Sequence, residues 1–252
     1  MWTRALVTGA SSGIGRAIAV QLAAAGSHLV VVARDEAKLH ELADSLDVPC
    51  DVLVADLSDR AALASVEERL TGDDDPIDLL VNNAGFGLHG LFHELDAERA
   101  AAAVEVNVAA LHRLAAAVAP GMVRRGRGGI LNVSSVAGFT ATPGGATYSA
   151  TKAFVTSLSE ALHTELRPHG VHVSALCPGF TRTEFQARAD HDVSSVPDSA
   201  WQSAEDVAAA GLRGIAKNAP IVVPGAANKA MVGVINTLPA RLRRAAVARF
   251  AR

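Results

Sequence analysis

The amino-acid sequence predicts one three-layer α/β domain, in which a doubly wound, parallel, seven-stranded sheet lies between two layers of helices. Three observations favour this fold class. Short β-branched runs alternate with longer segments rich in Ala and Leu, as in successive β–α–β units. Several of these runs are apolar throughout, which is typical of strands covered on both faces. The chain has 252 residues and half are hydrophobic, which suits one large domain with an ample core.

The individual elements follow from the spacing of apolar residues along the chain. Uninterrupted apolar runs predict strands at 5–7, 29–32, 52–54, 79–81, 130–133, 172–176 and 221–223. Apolar residues at helical spacing, such as Ile14, Ile18 and Leu22, predict helices at 14–25, 36–46, 59–70, 97–119, 147–167 and 204–216. Ser203 is expected to cap the last of these helices, with Asp206 as its partner.

Two segments depart from the alternation of strands and helices. Residues 178–203 form a long polar stretch, and a loop of that length is usually either a lid or disordered. Residues 225–252 carry basic residues among apolar ones, which predicts a helical extension on the surface or at a dimer interface; attachment to a membrane surface is the less favoured interpretation. We therefore predict that residues 1–224 form the domain, with 178–203 as its substrate loop and 225–252 as a basic extension.

Composition and charge exclude several classes of protein. The formal net charge of -3 gives no overall positive field for nucleic acid or acidic lipid. Two cysteines are too few for a disulfide scaffold, and the nine histidines lack metal-ligand spacing, so no metal site is predicted. No apolar run approaches the ~18 residues of a membrane helix, and the short segment before the first strand leaves no room for a signal peptide. We expect a cytoplasmic protein with neither nucleic acid nor membrane among its partners.

A glycine-rich turn, Thr8-Gly9-Ala10-Ser11-Ser12-Gly13-Ile14-Gly15, joins the first predicted strand to the first helix. Such a turn lets the backbone approach a pyrophosphate, and the helix N-terminus supplies N–H groups and the positive end of its dipole. The spacing is GxxxGxG, unlike the common GxGxxG, and glycines also serve tight turns for steric reasons alone. The position of the turn in the first β–α unit favours dinucleotide binding.

The residues that follow the second and third strands bear on which dinucleotide is bound. An acidic residue usually holds a free ribose 2′-OH at the position of Arg34, whereas an arginine pairs with a 2′-phosphate through its planar fork. The alternative is a solvated surface arginine at the start of the next helix. Taken together with the glycine turn, Arg34 favours NADP(H) over NAD(H). Asp56 lies either near the adenine or at the N-cap of the following helix.

A serine pair, a tyrosine and a lysine form the catalytic candidates. Tyr148 is the only tyrosine, and Lys152 lies four residues later on the same helix face. An adjacent ammonium lowers the pKa of a phenol from its usual ~10, and a hydroxyl from Ser134 or Ser135 could hydrogen-bond a reacting oxygen. The YxxxK spacing by itself also fits a buried tyrosine and a solvated lysine. Together with the glycine turn, in this order, it favours acid–base catalysis.

In combination these motifs resemble the short-chain dehydrogenase/reductase family, whose members of this length have a single Rossmann domain. The resemblance covers roughly residues 4–185, with TGASSGIG at 8–15, ADL at 55–57, NNAG at 82–85, NV at 107–108, ILNVSS at 130–135, YSATK at 148–152 and PG at 178–179. It implies an NADP(H)-dependent oxidoreductase that interconverts a ketone or aldehyde with an alcohol.

The resemblance also implies roles for individual residues. Tyr148 is expected to be the acid/base and Lys152 to lower its pKa and hold the nicotinamide ribose. Ser135, thirteen residues before Tyr148, is expected to orient the carbonyl, and Asn107 to kink its helix and anchor a water in a proton relay. Asn82 is expected to frame the adenosine with Asp56. Further cofactor contacts are expected from Gly9, Ser11, Ser12, Gly13, Ile14, Gly15, Arg34, Asp56, Leu57, Asn83, Ala84, Gly85, Tyr148, Lys152, Pro178, Gly179, Thr181 and Thr183.

The C-terminus departs from the family pattern, because a basic tail replaces the usual Asp-Gly-Gly-like stretch after the last strand. This puts the common tetramer in doubt, and we expect a homodimer or homotetramer. The substrate is expected to be small and apolar, because apolar residues fall on the loops that would face the nicotinamide: Phe86, Leu88, Phe139, Phe180, Phe185 and Trp201.

Two other functions compete with this interpretation. A non-catalytic nucleotide-binding regulator could have the same fold, although the intact set of Ser135, Tyr148 and Lys152 argues against it. A sugar-nucleotide epimerase or dehydratase shares YxxxK. It would need a larger C-terminal substrate domain than the roughly seventy residues after Pro178 provide.

Overall fold

All seven predicted strands form in the computed structural model, which describes residues 2–239 and 241–242. They are β1 (Arg4–Thr8), β2 (His28–Ala33), β3 (Cys50–Val54), β4 (Leu79–Asn82), β5 (Gly128–Val133), β6 (Val171–Leu176) and β7 (Ile221–Val222). Every neighbouring pair is parallel, in the order β3-β2-β1-β4-β5-β6-β7. The predicted doubly wound Rossmann sheet is therefore confirmed. The strand order reverses between β1 and β4, and such a switch point opens a crevice at the carboxyl ends of the strands.

Helices cover both faces of the sheet. One face carries α1 (Gly13–Ala24), α2 (Glu36–Asp44) and α8 (Ala204–Ala216). The other carries α3 (Arg60–Thr71), α5 (Leu111–Arg125) and α6 (Ala146–Leu166), and α4 (Ala97–Val104) leads into α5. Two more helices lie in the C-terminal third, a short α7 (Phe185–Arg188) and α9 (Ala226–Thr237).

Alternate strand residues supply the two halves of the core. In β1, Ala5 and Val7 pack under α1 and α8, whereas Leu6 packs under α3 and α5, and all three are fully buried. Each buried aliphatic side chain of leucine size contributes about 1.5–3 kcal/mol relative to exposure. Burial on both faces explains why the strands are apolar without alternation.

The helix predicted at 97–119 runs from Ala97 to Arg125 and contains a π-helical turn, Glu105–Ala110. Within the described residues it is the one helix whose length and composition would allow it to cross a membrane. Its residues Leu114, Val118 and Met122 are buried against the sheet. The apolar character of its second half, Leu111–Arg125, follows from this place in the core.

Polar residues cap several helices at their N-termini. Ser203 accepts a hydrogen bond from the N–H of Asp206 at 3.0 Å and donates one to its carboxylate at 2.7 Å, as predicted. The carboxylate of Asp59, rather than that of Asp56, caps α3 by accepting from the N–H of Ala62. This removes one of the two roles that the sequence left open for Asp56.

The segment predicted as a substrate loop, 178–203, is folded across the carboxyl edge of the sheet. It contains α7 and a 3₁₀ turn, Asp198–Ala200, and Arg99 of α4 pairs with Asp190 at 2.7 Å. After β7, α9 packs through Val232 onto the cluster around Val223. The predicted basic extension thus begins with a helix, while its Arg243, Arg244, Arg249 and Arg252 lie outside the described residues.

Candidate active site

The glycine turn lies at the carboxyl end of β1 and is fastened to the end of β4. Gly9 has φ +65°, and a Cβ there would lie 2.8 Å from Nδ2 of Asn83. That amide donates to the carbonyls of Thr8 at 2.9 Å and Gly9 at 3.1 Å. The hydroxyl of Thr8 in turn accepts from the N–H groups of Asn83 and Ala84, both at 3.0 Å. Sequence reasoning missed this role of Thr8, because a threonine at a strand end carries no signal of its partners.

The start of α1 fits a pyrophosphate. Its N-cap, Ser12, is extended, and within the described residues no side chain caps the first helical N–H groups. A Cβ at Gly15 would collide with the carbonyl of Gly9, so the turn is open only without a side chain there. The other predicted contacts of this turn, Ser11, Ser12, Gly13 and Ile14, are half-buried around it. Free N–H groups at the positive end of a helix dipole are the donors that phosphate oxygens require.

Arg34 and Asp56 lie together at the ends of β2 and β3, where the adenosine of a dinucleotide would lie. Nη1 of Arg34 is 3.6 Å from Oδ2 of Asp56, and the arginine side chain is 73% exposed. Partial burial would raise the pKa of Asp56, but hydrogen bonds from Ser58 and the charge of Arg34 lower it below its usual value. The side chain of Leu57 is buried in the core, so only its main chain is available to a ligand.

The expectation that the side chain of Asn82 frames the adenosine is wrong. Asn82 is 2% exposed, and its Nδ2 donates to Oδ1 of Asn132 at 2.9 Å and to the carbonyl of Leu111 at 3.3 Å. Asn132 donates onward to Ser159. These hydrogen bonds connect β4, β5 and α6 below the edge of the sheet. The side chain of Asn82 therefore points into the protein interior, away from the place of an adenosine.

Tyr148, Lys152 and Ser135 converge beside the glycine turn. Lys152 is 4% exposed, its Nζ donates to the carbonyl of Val133 at 2.8 Å, and it lies 5.7 Å from the centroid of the half-buried Tyr148 ring. The Ser135 hydroxyl accepts from the N–H of Ala137 at 3.1 Å and donates to the carbonyl of Pro178 at 3.4 Å, and its closeness to the Tyr148 phenol lowers the pKa of that phenol.

The neighbouring Ser134 faces away from this group. Its hydroxyl donates to the carbonyl of Lys152 at 2.8 Å and lies 2.8 Å from Oγ1 of Thr156. Both contacts belong to the buried face of α6. The structure therefore assigns different surroundings to the two serines. Ser135, which the sequence spacing also favours, is the one that lies beside the phenol.

Burial sets the protonation of the pair. It raises the pKa of Tyr148 to about 12, with the Ser135 hydrogen bond opposing it, and it lowers the pKa of Lys152 to about 8. The sequence led us to expect a lowered pKa for the phenol. In the free protein the loss of solvation outweighs the ammonium, which is directed to the carbonyl of Val133.

Asn107 lies in the π turn, where the helix departs from regular α geometry as expected. Its Nδ2 donates to the carbonyl of Phe86 at 2.9 Å and to Oγ1 of Thr151 at 3.2 Å, and its Oδ1 accepts from the N–H of Phe86 at 3.0 Å. A Cβ at Gly85 would lie 2.8 Å from that same Oδ1. Asn107 thus fastens the loop after β4 to Thr151 in the second turn of α6, whose hydroxyl donates to the carbonyl of Tyr148.

The first part of the substrate loop covers the glycine turn and the tyrosine. The carbonyl of Pro178 accepts from the N–H of Val136 at 3.0 Å, and Thr181 donates to the carbonyl of Gly179 at 3.1 Å. The methyl of Thr183 lies 3.0 Å from the place of a Cβ on Gly13. Two residues further on, the ring of Phe185 lies 5.5 Å from that of Tyr148, centroid to centroid.

A family model described as short chain dehydrogenase matches residues 3–194. The chain belongs to the short-chain dehydrogenase family. Among curated relatives, the 3-oxoacyl-(acyl-carrier-protein) reductase of Escherichia coli is 33% identical over 209 residues, which cover 81% of this chain and 86% of the relative.

Two solved structures are similar over nearly the whole chain. A short-chain dehydrogenase from Sphingobium yanoikuyae in complex with NADPH is 39% identical, covers 94% of this chain and 97% of its own, and has a TM-score of 0.83. A bulky-bulky ketone specific alcohol dehydrogenase from Comamonas testosteroni is 36% identical, covers 94% and 95%, and has a TM-score of 0.79. The family and the predicted enzyme class, an oxidoreductase, are thereby confirmed.

In this short-chain dehydrogenase the catalytic candidates and the glycine turn share one edge of the sheet. The turn comes from β1, Ser135 follows β5, and Tyr148 and Lys152 project from α6 against that edge. A reacting atom held near the turn would therefore also be near an acid, a hydroxyl and an ammonium. This is the arrangement that proton transfer to a bound substrate requires.

Proposed function

We propose that the protein is an NADP(H)-dependent oxidoreductase that interconverts a small apolar ketone or aldehyde with an alcohol, with Tyr148 as the acid/base. The observation that carries the proposal is the convergence of Tyr148, Ser135 and Lys152 beside an uncapped helix N-terminus. The similar solved protein from Comamonas testosteroni is a ketone-specific alcohol dehydrogenase, which supports the same reaction class.

In the direction of reduction, the Tyr148 phenol donates its proton to the substrate oxygen. The phenol is protonated at neutral pH, and because burial raises its pKa to about 12, it needs stabilisation of the phenolate to give up the proton. Ser135 donates a hydrogen bond to the same oxygen and orients it. The Lys152 ammonium stabilises the phenolate that remains, and its position behind the ring also suits it to hold a ribose.

The bound dinucleotide supplies or accepts the hydride. Gly9, Gly15 and the start of α1 are proposed to hold its pyrophosphate, with Ala84 and Gly85 along the same path. Arg34 is proposed to pair with a 2′-phosphate, because its guanidinium is exposed at the end of β2. Its one ion pair within the described residues is a 3.6 Å contact of Nη1 with the partly exposed carboxylate of Asp56. Asn107 is proposed to position the start of α6 through Thr151 and to anchor a water behind Lys152.

The proposal also includes the cellular location and the oligomeric state of the enzyme. We propose a cytoplasmic homodimer or homotetramer. The departure of the C-terminal segment from the family pattern is the reason to leave the two assemblies as alternatives.

The test is NADPH oxidation with a panel of ketones and aldehydes, compared with the Tyr148→Phe variant. We expect wild-type turnover and a loss of about 10²–10⁴ in kcat for Tyr148→Phe, because only the proton donor is removed. NADPH binding, followed by cofactor fluorescence, is expected to persist. NADPH binding by the wild type without turnover of any carbonyl would instead favour the non-catalytic nucleotide-binding regulator.

The adjacent serines provide a matched pair of controls. Ser135→Ala is expected to lower kcat by about 10²–10³, the effect of losing one hydrogen bond to a developing oxyanion. Ser134→Ala is expected to reduce stability by about 1–3 kcal/mol, since it removes a partner of buried polar groups, while kcat stays near the wild-type value. Equal losses of kcat in both variants would contradict the role of Ser135.

A further inference from the structure

We infer that Phe185 selects the substituent on the carbonyl carbon, so that the enzyme prefers carbonyls with a planar aromatic group, and that Gly87 sets the position of the Phe185 ring. The inference rests on the proposed function, because it concerns the substrate of the same site. It adds a substrate class and two residues that determine it.

Phe185 lies directly beside the catalytic phenol. The two rings are 5.5 Å apart at an interplanar angle of 52°, which is within the range of favourable aromatic contacts. A substrate oxygen that receives a proton from Tyr148 must come within hydrogen-bond reach of its hydroxyl. The group on the carbonyl carbon that faces α7 would then lie near the Phe185 ring.

Gly87 allows the Phe185 ring to approach the loop after β4. A Cβ on this buried glycine would lie 3.0 Å from Cζ and 3.1 Å from Cε1 of Phe185, and 3.2 Å from Cβ of Ala189. A side chain at position 87 would therefore displace the ring by a few tenths of an ångström. The ring is held between this backbone and Tyr148.

The segment that carries Phe185 is fixed on both sides. Its N–H donates to Oγ1 of Thr183 at 3.2 Å, so the ring starts from an anchored turn. On the other side of α7, Arg99 donates to the carbonyl of Arg188 and pairs with Asp190, both at 2.7 Å. In this closed arrangement of the loop, a ring on an anchored backbone restricts what can fit beside it.

The tilt of the Phe185 ring against the Tyr148 ring determines which substituents fit beside it. An aromatic wall beside the phenol accepts the flat face of a phenyl group in an offset or edge contact. A cyclohexyl group has the same number of carbon atoms but is thicker and has no π face. The Phe185 wall therefore favours an aryl over a cycloalkyl substituent.

The test compares kcat/KM for acetophenone and cyclohexyl methyl ketone with NADPH. Phe185→Ala is expected to shift the ratio of the two values toward the cyclohexyl ketone by about tenfold, because the wall is removed. Phe92→Ala, at a site 71% exposed, is the matched control and is expected to keep the wild-type ratio. An unchanged ratio in a Phe185→Ala variant that still binds NADPH would overturn the inference.

A double-mutant cycle tests the part played by Gly87. Gly87→Ala is expected to change the ratio in wild type and to leave it unchanged in the Phe185→Ala background, where no ring remains to be displaced. An equal change in both backgrounds would overturn the role of Gly87. Failure of wild type to reduce any carbonyl would overturn the proposed function too, whereas turnover with a ratio insensitive to Phe185 would overturn this inference alone.

Discussion

Burial of Lys152 is expected to make the folded protein gain stability between neutral and alkaline pH. The side chain has an ordinary pKa of 10.5, and burial lowers it to about 8 in the fold. Between these two pH values the unfolded chain binds more protons than the folded one, so the free energy of unfolding rises with pH. The shift corresponds to about 3 kcal/mol over the whole window, at 1.36 kcal/mol per pKa unit. Below pH 8 the buried ammonium carries this cost in full.

The Lys152→Met variant isolates this contribution. Methionine keeps an unbranched apolar chain and does not titrate, whereas the other titratable groups are common to both proteins. We expect the free energy of unfolding of wild type, minus that of the variant, to rise by about 2 kcal/mol from pH 7.5 to pH 9.5. Urea denaturation at the two pH values measures it.

A difference that stays constant or falls with pH would refute the reasoning. It would mean that the ammonium keeps its solvation in the folded protein, contrary to its 4% exposure and its hydrogen bond to Val133. The same titration has a catalytic consequence. Above pH 8 the free protein loses the cation that would stabilise a Tyr148 phenolate, so both readouts should change over one pH range.

Two further predictions concern the cofactor and the loop. Arg34→Asp is expected to raise KM for NADPH and to reduce the NADPH-to-NADH preference roughly ten- to hundredfold, because a charge-assisted contact is replaced by repulsion; an unchanged ratio of kcat/KM values for the two cofactors would make Arg34 a surface charge only. Residues 178–203 are expected to gain hydrogen-exchange protection when NADPH and a carbonyl inhibitor bind, as a closing lid does; equal protection with and without ligands would count against a lid.

The sheet and most helices could be predicted because strands that are buried on both faces have uninterrupted apolar sequences. Residues such as Leu6 and Leu80 are apolar since each side of the strand meets a helix layer. The π turn could not be predicted in this way, because the apolar spacing continues through it. Its cause is tertiary: Asn107 bonds to the backbone of Phe86, 21 residues away, and to Thr151 on α6.

The structure of the substrate loop likewise depends on tertiary contacts that the local sequence does not reveal. Its length and polarity indicated a segment that is either a lid or disordered, and no local pattern marked α7. The contacts that hold it lie far along the chain, since Arg99 and Asp190 are 91 residues apart. The NNAG motif also conceals a division of roles. Asn82 points into the core and Asn83 fastens the glycine turn, since successive side chains of an extended chain point to opposite sides.

The pKa of Tyr148 is the point at which spacing and structure disagree most. Four residues on a helix place a lysine near a tyrosine, and proximity alone predicts a more acidic phenol. The fold adds desolvation, which spacing does not report, and it directs the ammonium to a backbone carbonyl 2.8 Å away. The phenol is protonated at neutral pH at its ordinary pKa of 10 and at the raised value of about 12, so the shift does not change its charge but makes it a weaker acid. Positive charge beside the ring stabilises the phenolate, and the Lys152 ammonium, 5.7 Å from the ring centroid, is the group that can supply it in either direction of the reaction.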